Sequence, residues 1–394
     1  MKKFLPLFLI IVMYGCSPRG DNKIPRQFQQ LKNLTTYSAN AKPGKTLLFE
    51  KDAVYGDSKE ALIGNMGDMA VDNLGRVFIA DLQKMVIDVF EPGGRFIAQL
   101  GREGKGPSEF SYIKDLQIRK DRLYVYDPNQ QKVSVFTLNT LAGDKSIFLA
   151  RNRGKYQALH RAYPWIHKIY VRNNSTYLAE FISDSSKPNK KWHNFETKGL
   201  FYLLDNTGKI VSKKLIDFID ATRTQFAWPN SEALLGLQLK PFFGNALTVL
   251  SSDNSIYWAG PDYLLIKIYS PDGAYQHAFY YPHKKIPLTQ ESAIEAGVRD
   301  LYIRNMKSMD LPRTWPVLKD MKIDDQDRLW IATTVKDMHV YEWWVLENTG
   351  ELLTKFTWPR KEPIEEIKNG YMYTRETEEE TGLQQIVRYR FEMD

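Results

Sequence analysis

Between residues 65 and 110 the chain alternates short apolar runs with turn residues, NMGDMAVDNLGRVFIADLQKMVIDVFEPGGRFIAQLGREGKGPSEF. Four runs, at 68–72, 77–80, 85–90 and 95–100, have the length and the β-branched and aromatic content of strands. The last connection, Glu91-Pro92-Gly93-Gly94, carries its own mechanism: proline presets φ and glycine accepts the positive φ that ends the turn. A single four-stranded unit cannot cover both of its faces, so it requires further copies packed around an axis.

The copies are present. The segments at 68–72 and 76–80, DMAVD and RVFIA, return as DMKID and RLWIA at 320–324 and 328–332. They return again, one residue shorter, as DLQI and RLYV at 115–118 and 122–125. The turn before the fourth strand also repeats, closing at Gly94, Gly208, Gly273 and Gly350. Six units result, starting near Asn65, Tyr112, Trp165, Pro241, Trp315 and Pro363. The last holds only three strands, at 364–367, 371–374 and 384–391, while an unassigned apolar strand at 46–49 precedes the first unit. Used as the missing fourth strand, 46–49 closes the ring and removes an open sheet edge. The pattern therefore predicts an all-β fold, a six-bladed β-propeller over 44–394 closed by an N-terminal strand. One helical insertion stands between blades four and five. There, 289–309 places Ile294, Val298, Leu301, Tyr302, Met306 and Met309 at three- and four-residue spacing, with Thr289 as N-cap.

The run VDNLGRVFIADLQKMVIDVFEPGGRFIAQLGREGKGPSEF resembles NHL-type repeats, and in particular the six-bladed β-propeller lipoproteins common in Bacteroidetes, where GREGKGP-like turns join blades one and two. The likeness is strongest in blades one, two and five. Blades three and four depart from it, blade three through a polar insertion at 183–197. The resemblance implies a fold and a bacterial envelope setting; propellers host many activities, so it implies no particular reaction.

The first 15 residues, MKKFLPLFLIIVMYG, hold two lysines and an apolar run too short to span a bilayer, as in a secretory signal. Cys16, the one cysteine of the chain, follows Gly15 as in a bacterial lipobox. An acylated Cys16 leaves no thiol for disulfides, nucleophilic catalysis or zinc. Residues 16–43 are polar and read as a tether with a helical turn around 28–31, which could be trimmed over 17–40 at little cost. Ser17-Pro18-Arg19-Gly20 carries no acidic cluster, which favours a position facing the periplasm on the outer membrane, and the chain is expected to be a monomer. A formal charge of +7 spread over 394 residues is too mild for a nucleic-acid partner. At 13% aromatic, the composition suits half-buried strands, and a mean hydropathy of −0.43 excludes a polytopic membrane protein.

No sequence motif for a catalytic triad, Walker loop, dinucleotide fingerprint or zinc helix occurs, and 101–106 (GREGKG) has no strand-to-helix context, so it reads as a turn. The repeat register yields one constellation. Asp68, His167 and Asp320 stand eleven residues before Ile79, Leu178 and Ile331, and Asp115 stands ten before Val125. Innermost strands line a propeller's axis, so these four side chains are candidates for an axial ring. Such a ring either binds a ligand, a divalent cation such as Ca2+ included, or ties blades together through backbone N–H groups. The other histidines, His160, His193, His277, His283 and His339, show no ligand spacing and read as surface or strand-end residues. Trp330, Trp343 and Trp344 read as core, as do Trp165, Trp192 and Trp228, which stand in or near loops where they could also stack on a ligand. Two functions stay open: a lipid-anchored module binding a protein, peptide or glycan, or a metal-dependent hydrolase, lactonase or lyase acting at the axis.

Overall fold

The computed structural model describes residues 24–56, 61–149, 166–184, 194–227, 234–239, 242–308 and 311–394. Six antiparallel sheets follow one another along the chain, and the protein is a six-bladed β-propeller. Blade one comprises Met66–Val71, Val77–Asp81, Val86–Phe90 and Phe96–Leu100, each paired with the next. Innermost strands of the other blades are Asp115–Arg119, Ile166–Val171, Leu247–Leu250, Leu318–Ile323 and Ile364–Lys368. The repeated turn glycines all adopt positive φ, at 88°, 80°, 86° and 93° for Gly94, Gly208, Gly273 and Gly350. A Cβ on Gly350 would lie 2.5 Å from the Phe279 ring, so a side chain there would strain both the turn and the packing.

Alternation along each strand sends apolar side chains to both blade faces, and every junction between neighbouring blades gains its own core. Phe78, Ile87 and Val89 of blade one pack on Leu116, Leu123 and Phe136 of blade two. Trp330, Trp343 and Val345 of blade five pack on Ile364, Ile367 and Met372 of blade six. Trp330, Trp343 and Trp344 are all buried, as their positions predicted. Trp165, Trp192, Trp228, His160 and His193 lie outside the described residues.

The ring closes as the strand count requires. Leu47–Tyr55 runs antiparallel to Gln384–Met393, from Leu47↔Met393 to Tyr55↔Ile386, and becomes the fourth strand of blade six. Arg388 binds Asp52 across a bulge in this pairing.

Three expectations are corrected. The stretch 16–43 is not a bare tether from residue 24 onward. Arg26–Phe28 forms a short 3-10 helix, and Leu34–Thr36 adds a parallel outer strand to blade four (Leu34↔Ala278). Phe28 packs edge-on against Tyr263 and Tyr280, and Tyr37 stacks on Tyr281 at 4.6 Å. A three-residue strand has no periodicity to read, and the anchoring comes from isolated aromatics. Blade three, second, carries a fifth strand, Leu234–Leu239, beyond Ile216–Ala227. Third, the insertion between blades four and five is broken in two. Helix α1 (Gln290–Glu295) starts on the capping box of Thr289 and Ser292, and helix α2 is Asp300–Asn305. Gly297 sits between them at φ 69°, with its N–H and that of Val298 closing on Ile294 and Ala293, the wrapping expected of a helix C-terminus.

Deleting 44–55 should lower the melting temperature far more than deleting 17–37, because only the first removes a ring-closing strand. The second should still cost measurably, since burying a Phe side chain stabilises by about 2 kcal/mol. Circular dichroism melts check both; equal melting temperatures for the two truncations would contradict the closure.

Candidate axial binding cavity

The innermost strand of each blade pairs on one side only. Its other edge faces the axis and carries alternate N–H and C=O groups that no strand completes. In blade one, Asp72 N–H turns back to Arg76 O across the hairpin, so Met69 and Val71 are the positions that point their N–H groups to the axis. Val71 N–H donates to Glu366 Oε2 of blade six at 2.9 Å, and Val71 O accepts from Lys368 Nζ at 2.8 Å. The same arrangement recurs between blades two and three. Val171 N–H donates to Gln117 Oε1 at 2.8 Å, Ile169 O accepts from Gln117 Nε2 at 2.7 Å, and Val171 O accepts from Arg119 Nε at 3.1 Å. Between blades one and two, Leu116 N–H donates to Asp68 Oδ2 at 2.7 Å. Polar side chains of one blade thus complete the free edge of the next.

These strands enclose an axial cavity of about 530 Å3. Asp68, Asp115, His167 and Asp320 all line it, together with Lys168, Lys322, Glu365, Glu366, Lys368 and Arg119. The structural register changes one member of the ring. Val71, Val171 and Ile323 each precede a turn closed by the same N–H to C=O bond, at Asp72–Arg76, Arg172–Thr176 and Asp324–Arg328. Three residues earlier stand Asp68, Lys168 and Asp320. His167 is one residue off this position, in the bulge between Ile166 and Lys168, and is exposed. The slot in blade three belongs to Lys168. Counting from the turn rather than from an apolar residue of the second strand finds it; alternation from there also yields Lys322, and in blade two Gln117. Blade four offers Leu247 in the slot, followed by Thr248 and Val249.

The carboxylates are not equivalent. Asp320 accepts the N–H of Met321 at 2.8 Å and pairs with Lys322 at 3.3 Å. Burial alone would lower the Lys322 ammonium, but Asp320, Glu365 and Asp68 outweigh it and hold the pKa above its usual value. Asp68 is pushed up to about 7, first by loss of water and then by Asp115. Glu366 is likewise pushed up to about 7 by burial, with Lys368 opposing. Asp115 is raised by burial against the pull of Lys168 and Lys114. Its Oδ2 is sealed from solvent and receives no hydrogen bond. Lys168 meanwhile lies over the Tyr170 ring, 5.0 Å from its centroid.

Among the described residues, no carboxylates or histidines at the axis gather as a metal-ligand group; the group that does is Glu295, Asp337 and His339, with three ligand atoms within 4.8 Å of one another. It joins α1 to the loop between the second and third strands of blade five, where Glu295 accepts Met338 N–H at 3.1 Å. All three residues are exposed. Spacing in sequence hid it, because Glu295 comes from the insertion. His283 stands two residues beyond the strand that ends at Tyr281, a strand-end place as expected, beside Trp344, and burial lowers its pKa. The GREGKG segment is a turn, as expected: Glu109 accepts Gly106 N–H at 2.7 Å and Lys132 Nζ donates to Gly106 O at 3.0 Å.

The family model DUF5128, described as a 6-bladed beta-propeller, matches residues 57–151. A solved protein of the DUF4221 family from Bacteroides vulgatus is similar in fold, at TM-score 0.54 and 10% identity, covering 89% of this chain and 98% of its own. A Bacteroides fragilis protein described as exported aligns at TM-score 0.51 and 11% identity, over 91% of this chain and 99% of that one. Among curated proteins none matches the chain.

The raised Asp68 pKa sets a pH dependence. In the folded chain Asp68 holds its proton to about pH 7, whereas an unfolded carboxylate releases it near pH 4. Folding therefore binds a proton between these values, and its stabilising contribution is lost as pH rises through 7. Asp68→Asn keeps an oxygen for Leu116 N–H and removes the titration. Its melting temperature relative to the parent should climb between pH 5 and pH 8; a constant difference would show that Asp68 ionises as freely as in water.

Proposed function

We propose that this chain is an exported, lipid-anchored binding protein that faces the periplasm and holds its ligand in the axial cavity. The observation that carries the binding reading is the use of the axial polar groups. Asp68, Gln117 and Glu366 are committed to backbone N–H groups of the next blade, and Asp320 to Met321 N–H and Lys322. A hydrolase or lyase working through a metal would need several of those oxygens turned toward one point. A cavity of this size, open and lined by few uncommitted polar groups, is what a small-molecule or peptide-end site requires. The address rests on Lys2, Lys3, the short apolar run and Cys16. The description of the Bacteroides fragilis protein as exported points the same way. No helix of the described residues is long and apolar enough to cross a membrane, and acyl chains at Cys16 would supply the attachment.

Two measurements test this reading. Mass spectrometry of the protein from membranes should find a diacylated N-terminal Cys16, and Cys16→Ser should release a folded propeller; an unmodified thiol at Cys16 would refute the anchor. Chelator-treated His339→Ala protein, which lacks the peripheral histidine, should melt within about 1 °C of the same temperature with or without millimolar Ca2+ or Mn2+. Binding at a hundredfold excess over Kd would add about 2.7 kcal/mol. A clear metal-dependent rise abolished by Asp115→Asn and Asp320→Asn would overturn the binding reading in favour of metal chemistry at the axis.

A further inference from the structure

The N-terminal segment and the helical insertion fall on one face of the ring. In a blade of four antiparallel strands, the loop between second and third strands and the connection to the next blade share a face. The turn between first and second strands lies on the other. Phe28 meets Tyr263, which stands in the second-to-third loop of blade four, and Ile24 packs into the same cluster. Lys285, early in the connection to blade five, places its Nζ 3.9 Å from the centroid of that Tyr263 ring. Further along the connection, α1 reaches the matching loop of blade five, where Glu295 accepts Met338 N–H. The insertion turns Ala293, Val298, Tyr302 and Ile303 onto Phe242 and Trp315. Ile294 and Leu301 are left outside that core, 58% and 68% exposed.

Resting on the lipid-anchored reading, we propose that the outer side of the α1–α2 insertion docks on the membrane that carries this chain's own anchor. Ile294 and Leu301 enter the boundary between headgroups and acyl chains, and Arg299, Arg304 and Lys307, all exposed, meet lipid phosphates. Chain length supports this occupant. Residues 17–23 separate Cys16 from Ile24, and eight extended residues span at most about 28 Å. The anchor therefore holds the Ile24 side of the ring close to the bilayer. Tethering over so short a span gives an effective concentration on the order of millimolar, so two apolar side chains suffice for a contact that the free protein would not hold. Asp300 pairs with Arg304 at 3.5 Å, both side chains largely exposed, and such a pair is weak enough in water to yield to a phosphate. A docked protein would need about 800 Å2 of complementary surface on each side, which two side chains on two short helices do not supply.

The test is hydrogen–deuterium exchange of the chain from Cys16 to Asp394. Its one thiol is coupled to a maleimide phospholipid in nanodiscs of phosphatidylethanolamine and phosphatidylglycerol. The reference is the same chain capped with N-ethylmaleimide and free in solution. Amides of 293–305 should exchange at least threefold more slowly on the nanodisc, while those around Leu74, an exposed apolar residue in a first-to-second turn on the opposite face, keep their solution rate. The double variant Ile294→Glu, Leu301→Glu should restore the solution rate in the insertion, with circular dichroism confirming that it folds. Unchanged exchange across the insertion would overturn the proposal. So would slowing that survives the double variant, or equal slowing around Leu74. Slowing of the capped chain with rising protein concentration and no lipid would assign the face to a second copy, and overturn it as well. Because the coupling is chemical, the face is judged whether or not the cell acylates Cys16, and mass spectrometry at Cys16 decides the anchor separately.

Discussion

The free inner edge of every blade is the constraint around which this molecule is built. A propeller removes the outer-edge hazard by closing its ring, but six innermost strands still present unpaired N–H and C=O groups to the axis. Here the neighbouring blade supplies side chains that imitate a missing strand. Glu366 and Lys368 do so for Val71, and Gln117 and Arg119 for Val171. Accepting and donating groups alternate in these roles, carboxylate and ammonium in Glu366 and Lys368, amide and guanidinium in Gln117 and Arg119, because the edge offers donors and acceptors in turn. Charge inside the ring is thereby first a matter of holding blades in register, and binding chemistry is what remains after that demand is met.

That order of priorities explains the electrostatics. Asp68 and Glu366 are raised chiefly by loss of water, and each is held in place by a backbone N–H that would otherwise be unpaired. Lys322 keeps its charge despite burial because Asp320, Glu365 and Asp68 surround it. The exception is Asp115, raised by burial and carrying an oxygen without a donor. Blade four contributes the opposite exception, an uncharged stretch from Leu247 to Val249. The two departures from the edge-pairing scheme border one cavity.

Much of the fold could be read from local chemistry. The glycine at 94, 208, 273 and 350 is demanded by a positive φ, so its recurrence marked four blades directly. The closing strand followed from a count: a blade with three strands and a stray strand upstream. The axial ring was half legible. Asp68, Asp115 and Asp320 share a slot because they stand at the same distance before their turns, but the partner of Ile79 in blade three is Ala179 and not Leu178, so counting back from Leu178 exchanges Lys168 for His167. Leu178 and Ala179 are both buried apolar residues, so the hydrophobic pattern alone does not say which of them to count from. Contacts between distant segments were equally silent, as with Phe28 on Tyr263 and Glu295 beside His339.

Amide hydrogen exchange at the inner edges tests the central claim most directly. The N–H groups of Val71, Leu116 and Val171 should exchange slowly in the parent although no strand pairs with them. Gln117→Ala should accelerate Val171 alone, and Glu366→Ala should accelerate Val71 alone, with the rest of each blade still protected. Fast exchange at these amides in the parent, or unchanged rates in the two variants, would contradict the account of how the blades are joined.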